Sequence, residues 1–405
     1  MTENASSKCS SLMQKIEVNE QEALDRFLKL TAIPGGSGDE KGVADAISGQ
    51  LIDAGIDPSQ ISFDDANTRT RLKGNCGNLI VQLPGNGNGP RTLISAHMDT
   101  VPICVGCDPY VDGDHVHSRG NTGLGGDDRS GCSAILTATI ERLRLGDSNF
   151  NPAVVAFFIQ EEIGLEGARH LDVAKIGDID LAFNFDGGTV EKMTNGATGG
   201  ERINIRLLGV PAHAGLAPET GVSTIVIAAK AIADLEARGW HGRISNEHGE
   251  GTSNVGVIQG GDATNVVTPE LKLRAEARSH DAGMRTKIVA EIRDAFEKAA
   301  ANVTNTDGTC GTCEFESHVD YESFRLPDDD PSIAALGEAL KSIGREPFLE
   351  VAGGGLDANW LNKHGIAAVT TGCGQRNIHT AEEKLHIADY LDACRVATTL
   401  ICRGS

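Results

Sequence analysis

The sequence lacks the features that would assign the chain to a membrane or to nucleic acid. No apolar stretch reaches about 18 uninterrupted residues, and the polar residues 1–20 contain no apolar run that could form the core of a signal peptide. The 36 Lys and Arg residues are outnumbered by 57 Asp and Glu residues, and no basic block is long enough to follow a phosphate backbone. We therefore expect a soluble cytoplasmic protein without nucleic-acid or membrane partners.

The cysteines also lack the context of a disulfide framework. Two pairs have C-x-x-C spacing, Cys104 with Cys107 and Cys310 with Cys313. In a chain of 405 residues without a signal peptide, cysteines are more often reduced. The pairs lie far apart, the first in a loop with proline and glycine, and neither is flanked by the strand and helix of a redox motif. We interpret both pairs as ordinary cysteines.

Short apolar runs do alternate with helical stretches. NLIVQLPG, TLISAHMD, AVVAFFIQ and DLAFNFDGG are rich in Val, Ile and Phe, and each ends in turn residues. Helical stretches such as GCSAILTATIERLRL and EGARHLDVAKI separate some of these runs. This order predicts an α/β domain with a central, largely buried sheet flanked by helices.

A different pattern occupies residues 197–317. The alternating segments GERINIRLLGV and ELKLRAEARSH and two long helical stretches predict a compact α+β unit with an antiparallel sheet. The first pattern resumes after an acidic turn at residues 327–331, so the second domain is inserted into the first. We therefore predict a first domain formed by residues 1–196 and 318–405, with the insertion between them.

Histidines and acidic residues recur at the ends of these predicted strands and at one helix start. They are His97 with Asp99, Asp127 with Asp128, Glu161 with Glu162, Asp186, and His379. Each alone has an ordinary explanation, such as a helix cap or a strand-end histidine. Together they predict imidazoles and carboxylates that converge on a pair of cations, because an α/β sheet gathers strand ends along one edge. Nitrogen and oxygen ligands without thiolate favour zinc, with cobalt or manganese as alternatives.

Five motifs in order along the chain resemble those of the M20 metallopeptidase family, which includes peptidase T, carboxypeptidase G2, aminoacylase-1 and succinyl-diaminopimelate desuccinylase. They are HMDTVP, GGDDRSG, QEEIG, NFDGG and IHTAEEKLHI. The resemblance implies a zinc-peptidase-like catalytic domain with a mixed central sheet and an inserted lid domain.

The same resemblance implies a role for each residue of the metal centre. His97 and His379 each hold one of two zinc ions, Asp127 bridges both ions, and Glu162 and Asp186 are the terminal carboxylates. Asp99 orients His97, and Glu161 is the general base. A cis peptide between Asp127 and Asp128 is also implied.

In the lid, the resemblance assigns His213 to the oxyanion, often across a dimer, and Asn265 and Arg278 to the carboxylate end of the substrate. It also implies a homodimer formed through the lid. The segments GGERINIRLLGVPAHAGLAPETG and GGGLDANWLN are most similar to peptidase T and peptidase T-like proteins.

One segment departs from that pattern. Residues 353–357 read Gly-Gly-Gly-Leu-Asp, where peptidase T has Arg-Gly-Gly-Thr-Asp, so a bidentate carboxylate donor is missing. Gly355 and Asp357 still match, and we expect them to shape the substrate pocket. An aminotripeptidase specificity therefore does not simply carry over.

The expected activity is hydrolysis of an amide bond in a small peptide by a metal-bridged water, with Glu161 as base. One alternative is an amidohydrolase or carboxypeptidase that acts on N-acyl amino acids, because the same core serves both. An alternative of another class is a catalytically silent binding member of the fold. His115 and His117 form an H-x-H pair outside the family's ligand positions, and we interpret them as surface residues.

Overall fold

The structure is a computed structural model that describes residues 17–146 and 149–404. Helices and strands alternate along much of these residues. The helices are α1 (Glu20–Thr31), α2 (Lys41–Asp53), α3 (Ala66–Arg69), α4 (Gly126–Leu145), α5 (Glu166–Arg169), α6 (Val173–Ile176), α7 (Thr224–Ala237), α8 (Ala282–Asn302), α9 (Pro331–Ser342), α10 (Asp357–Lys363) and α11 (Ile387–Ile401). Short 3-10 turns lie at Pro58–Gln60, Pro102–Cys104 and Pro218–Thr220.

The strands are mostly short in the first part of the chain and longer in the inserted part. They are β1 (Ile61–Phe63), β2 (Leu79–Leu83), β3 (Thr92–His97), β4 (Pro109–Asp112), β5 (His115–Ser118), β6 (Ala153–Phe158), β7 (Leu181–Phe185), β8 (Lys192–Ala197), β9 (Gly199–Leu208), β10 (Gly242–Asn246), β11 (Gly249–Gln259), β12 (Glu270–Ser279), β13 (Thr312–Tyr321), β14 (Phe324–Arg325), β15 (Phe348–Ala352), β16 (Ala368–Thr371), β17 (Gln375–Arg376) and β18 (Lys384–His386).

One compact unit is formed by the chain up to Asn195, by Leu326–Val351 and by the residues from Leu356 onward. Its main sheet runs in the order β1, β2, β6, β3, β7, β16, β8. Strands β6, β3, β7 and β16 are parallel, whereas β1, β2 and β8 pair antiparallel to their neighbours. The predicted mixed sheet is therefore confirmed, and the carboxyl ends of four parallel strands lie along one edge.

The central strands are apolar at almost every position because both faces of the sheet are covered. All six residues of β3 and all six of β6 are buried. Helix α4 is buried over most of its length and packs against α1, α11 and β3. This packing fixes the strand ends and the start of α4, where the predicted ligands lie.

The second compact unit comprises Gly196–Arg325 and Ala352–Gly355. Its antiparallel sheet has the order β10, β11, β12, β9, β13. Along β9, Ile203, Ile205 and Leu207 lie on the buried face of this sheet, and the residues between them, Asn204 and Arg206, are exposed. The buried face packs with the apolar residues of α7 and α8. The unit continues past the predicted boundary at 317, because β13 stays paired with β9 as far as Tyr321.

Two local features differ from the sequence-based expectation. EGARHLDVAKI forms two short helices, α5 and α6, because the Asp172 side chain accepts the backbone N–H of Ala174 and starts a new helix. A small sheet of β17, β18, β5 and β4, with strands of two to four residues, was not expected. In the described part of the chain, no helix combines the length and hydropathy needed to cross a membrane.

Candidate metal centre

The edge formed by the carboxyl ends of the parallel strands carries most of the predicted ligands. His97 is the last residue of β3, and Asp186 directly follows β7. Glu161 and Glu162 lie in the loop after β6, and His379 lies in a loop beyond β16. The strand order β6, β3, β7, β16 therefore brings residues distant in sequence to one place.

The start of α4 brings Asp127 to the same place. Gly125 has a left-handed φ of 70°, and a Cβ on Gly131 would lie 2.2 Å from the backbone oxygen of Phe185. The glycines of GGDDRSG thus allow a tight turn and a close approach to β7. The peptide between Asp127 and Asp128 is cis, as the resemblance implies.

His97, Asp127 and Asp186 form one group of potential ligands, and all three are buried. Their ligand atoms lie within 4.8 Å of one another. The Nε2 atom of His97 is 3.2 Å from Oδ1 of Asp127. This spacing is compatible with a cation held between nitrogen and oxygen ligands.

Asp127, Glu162 and His379 form a second group, and their ligand atoms also lie within 4.8 Å of one another. The Nε2 atom of His379 lies 3.2 Å from Oδ2 of Asp127 and 3.0 Å from Oε2 of Glu162. Asp127 thus presents one carboxylate oxygen to each imidazole. This is the geometry expected of a carboxylate that bridges two cations.

The charge balance of the cluster favours bound cations. Burial raises the pKa of Asp186 to about 7, and the charge of Asp127 adds to the shift. Burial also raises the pKa of Glu161 well above its usual range. Burial opposes ionisation of Asp127, but hydrogen bonds with His379 and His97 outweigh it and lower the pKa of Asp127. Buried carboxylates so close together repel one another, and divalent cations between them would remove that repulsion.

The donor set also fits a metal pair. It contains imidazole nitrogens and carboxylate oxygens without thiolate, as catalytic zinc sites do. The Oε1 atom of Glu162 is buried without a hydrogen-bond partner among the residues that the structure describes. A buried carboxylate oxygen needs a partner, and a cation would provide one.

Asp99 and Glu161 lie beside the first group. The Nδ1 atom of His97 is 3.3 Å from Oδ1 of Asp99 and 3.1 Å from the backbone oxygen of the same residue. Both contacts leave Nε2 of the imidazole directed at Asp127. The Oε2 atom of Glu161 lies 3.9 Å from that Nε2.

Two further residues support the start of α4, and the sequence analysis did not single them out. The buried carboxylate of Glu383 accepts the backbone N–H groups of Gly125, at 2.7 Å, and Asp127, at 3.0 Å. The Nε2 atom of Gln375 donates to Oδ1 of Asp128 at 2.9 Å and to the backbone oxygen of Gly126. The only sequence signal was that Glu383 lies within the IHTAEEKLHI motif.

Three residues assigned by resemblance to substrate binding belong to the second compact unit. His213 is exposed, and its Nδ1 accepts the backbone N–H of Gly215 at 3.2 Å. The backbone oxygen of Asn265 accepts the N–H of Ala214, so the segments of His213 and Asn265 are neighbours. Arg278 forms a bidentate pair with Glu276, at 3.0 and 3.1 Å.

Gly355 and Asp357 differ in their surroundings. A Cβ on Gly355 would lie 2.6 Å from the ring of Tyr321, so the ring excludes any larger side chain there. Asp357 begins α10, and burial raises its pKa well above the usual range. Neither carboxylate oxygen of Asp357 has a hydrogen-bond partner among the described residues.

The C-x-x-C and H-x-H pairs lie outside the two ligand groups. Cys104 and Cys107 are buried free thiols, and the thiol of Cys104 donates to Glu383 at 3.2 Å. Cys310 and Cys313 are also free. His115 and His117 lie on β5, and neither belongs to a ligand group found among the described residues.

Comparison with known proteins identifies the family of the chain. Residues 93–403 match the peptidase family M20/M25/M40. The chain is 33% identical to the uncharacterized protein YqjE of Bacillus subtilis over 387 residues, which cover 95% of this chain and 98% of that protein.

Two solved structures are similar in both sequence and fold. The aminopeptidase PepT of Bacillus cereus is 31% identical with a TM-score of 0.82. A tripeptidase of Staphylococcus aureus is 30% identical with a TM-score of 0.84. Each alignment covers 95% of this chain and 98% of the other. The chain therefore belongs to the peptidase family M20/M25/M40 and is a metallopeptidase of the peptidase T-like kind.

Proposed function

We propose that this chain hydrolyses small peptides with a pair of zinc ions, cobalt and manganese being the alternatives. The observation that carries the proposal is the position of Asp127 between two imidazoles, with one carboxylate oxygen directed at each. In the proposed site, His97 and Asp186 hold one ion and Glu162 and His379 hold the other. When bound, such a metal pair lowers the pKa of a shared water toward 7 and polarises the scissile carbonyl.

Glu161 is the proposed general base. It is largely buried beside His97, on the same loop as the ligand Glu162. Its carboxylate accepts the proton of the attacking water and then delivers that proton to the leaving amine. Burial raises the pKa of Glu161 above its usual range, which suits a carboxylate that must both accept and donate a proton.

Binding of the substrate is assigned to residues of the second unit and of the segment after it. We propose that His213 stabilises the oxyanion and that Asn265 and Arg278 bind the carboxylate end of the peptide. Arg278 is already paired with Glu276, so a substrate carboxylate would have to compete with that side chain or share the guanidinium with it. Gly355 and Asp357 are proposed to shape the pocket.

The proposed substrate class is small peptides with a free amino terminus. The support is the similarity to an aminopeptidase and to a tripeptidase, each about 30% identical over almost the whole chain. Because residues 353–357 lack the arginine of peptidase T, dipeptides and tripeptides are both candidate substrates.

The test is a hydrolysis panel of free-amino dipeptides and tripeptides beside N-acetylated and N-succinylated amino acids. Each substrate is assayed with zinc, cobalt or manganese and with a chelator. We expect metal-dependent cleavage of the free-amino peptides and little cleavage of the acylated compounds. Cleavage confined to the acylated amino acids would assign the chain to the amidohydrolases, and tight metal binding without hydrolysis of any substrate would favour the silent binding protein.

A further inference from the structure

The loop that carries Glu161 and Glu162 is held by carboxylates from other segments. Its backbone cannot continue β6, because Gln160 has a left-handed φ of 53°. The N–H of Gln160 donates to Oε1 of Glu40 at 3.0 Å. The N–H groups of Glu161 and Glu162 donate to Oδ1 and Oδ2 of Asp99, at 2.9 and 3.2 Å. Three consecutive backbone donors are thus satisfied by two buried side chains.

Both accepting carboxylates are in turn bonded to the loop between α1 and α2. The hydroxyl of Ser37 donates to Oδ2 of Asp99 at 2.6 Å. The backbone N–H of Gly38 donates to Oε1 of Glu40 at 2.8 Å. Glu40 and Asp99 are both fully buried. Buried carboxyl groups that accept from several donors have well-defined orientations, because every alternative rotamer loses hydrogen bonds.

We propose that Ser37 and Glu40 are positioning residues that set the location of Glu161 and Glu162 in the metal centre. Ser37 acts through Asp99, and Glu40 acts through the backbone of Gln160. Asp99 then has a wider role than orienting His97, because the same carboxylate fixes the backbone of both adjacent glutamates. The inference rests on the proposed function for the roles of Glu161 and Glu162, but the contacts that carry it do not depend on catalysis.

Ser37 and Glu40 have the donor and acceptor groups that these contacts require. Asp99 accepts from the backbone N–H groups of Glu161 and Glu162, and the hydroxyl of Ser37 adds a donor that any apolar residue would lack. Glu40 needs only an acceptor oxygen at Oε1, since the backbone N–H groups of Gly38 and Gln160 both donate to that atom. Glutamine retains that acceptor, whereas leucine removes it.

The experiment compares Ser37→Ala with Ser37→Thr, which keeps the hydroxyl, and Glu40→Leu with Glu40→Gln. Ser342→Ala is the matched control, because the hydroxyl of Ser342 makes a 2.7 Å bond to Ala339 in α9. Amide hydrogen exchange of residues 159–165 is measured on the full chain, with and without zinc. The kcat, KM and zinc content of each variant are measured in parallel.

We expect Ser37→Ala and Glu40→Leu to raise the exchange rate of residues 159–165 by about tenfold and to lower kcat by a similar factor, which is the usual effect of losing a buried hydrogen bond. The KM should change little. Ser37→Thr, Glu40→Gln and Ser342→Ala should remain within about twofold of the parent protein.

Three results would overturn the inference. These are unchanged exchange over residues 159–165, faster exchange spread equally over the chain, and faster local exchange with an unchanged kcat. If the parent protein cleaved no peptide, the proposed function would fail, and the exchange data alone would still decide whether Ser37 and Glu40 hold the loop.

Discussion

The two ligand groups share Asp127 but differ in their access to solvent. His97 and Asp186 are buried at the ends of adjacent parallel strands, and Asp99 contacts the far side of the His97 ring. His379 is about half exposed and lies in a loop, with a left-handed φ of 63°. The comparison indicates that the sheet holds His97 and Asp186 rigidly, whereas His379 is a more adaptable ligand.

We therefore expect the two groups to respond differently to metal binding. A ligand fixed by strands keeps its geometry before the metal arrives, whereas a loop ligand gains part of its order from the metal. We therefore expect exchange of metal and water to be easier on the side of His379, the exposed member of the second group. The following predictions sharpen or break this comparison.

The largest expected effect is on turnover. Glu161→Gln should lower kcat by roughly 10³-fold, because general acid–base catalysis commonly contributes factors of 10² to 10⁴. Zinc content, measured by atomic emission, should stay at that of the parent protein, since Glu161 is not among the proposed ligands. Turnover within a factor of ten of the parent would remove Glu161 from the role of base.

The next effect is on metal affinity. His97→Ala and His379→Ala should each weaken the binding of one zinc ion by about 100-fold or more, because a metal ligand is lost. The affinity is measured by competition with a chelator. His97→Ala should lower the melting temperature of the metal-free protein more than His379→Ala does, because it empties a buried position next to Asp127 and Asp99. Equal destabilisation by the two variants would contradict the contrast between the groups.

The third effect concerns pH. Hydrogen bonds to Asp127 and Glu162 raise the pKa of His379 to about 10, so this imidazole is protonated at neutral pH when no metal is bound. A metal must displace that proton, and its affinity for the second group should rise by about tenfold per pH unit between pH 6.5 and 8. Calorimetry in buffers of different ionisation enthalpy should show proton release on binding. His379→Ala is the control, because it should abolish the proton release that this imidazole contributes.

The raised pKa of His379 also determines how the stability of the metal-free fold changes with pH. The pKa of His379 is raised from an ordinary value of 6.5, so its contribution to the stability of the metal-free fold is complete below pH 6.5. The contribution is lost as pH rises through about 10. A metal-free protein that became more stable across this range on account of His379 would contradict the assignment.

The smallest expected effect is that of the surface histidines. His115→Ala with His117→Ala should leave metal content and kcat within about twofold of the parent, because β5 lies outside both ligand groups. The measurement is the same chelator competition used for His97 and His379. A loss of one zinc ion in this variant would show that the H-x-H pair binds metal after all.

The sequence predicted which residues converge in the cluster, but it did not predict the hydrogen bonds that hold them in place. Apolar strands such as β3 and β6 end abruptly in His97 and before Glu161, so the α/β pattern alone places these residues at one edge. The cis peptide and the roles of the ligands came from the family resemblance, and the roles stay predictions.

The sequence did not reveal hydrogen bonds between a side chain and a backbone group that lies far away along the chain. Glu383 reaches the amides of Gly125 and Asp127 across more than 250 positions, and such a contact leaves no periodicity to detect. The bond from the backbone of Gln160 to Glu40 is of the same kind, and Ser37 contacts the distant side chain of Asp99. The two-residue strand β17 is likewise too short to show an alternating pattern.

The single carboxylate between the two imidazoles has a thermodynamic consequence. In the proposed site, an ion bound to one oxygen of Asp127 would fix the orientation of the other oxygen and would draw electron density from it. Occupancy of either half of the site would therefore change the affinity of the other half, and by linkage the effect would be equal in both directions. The binding isotherm for the pair would then be a property of the whole centre rather than a sum of two independent curves.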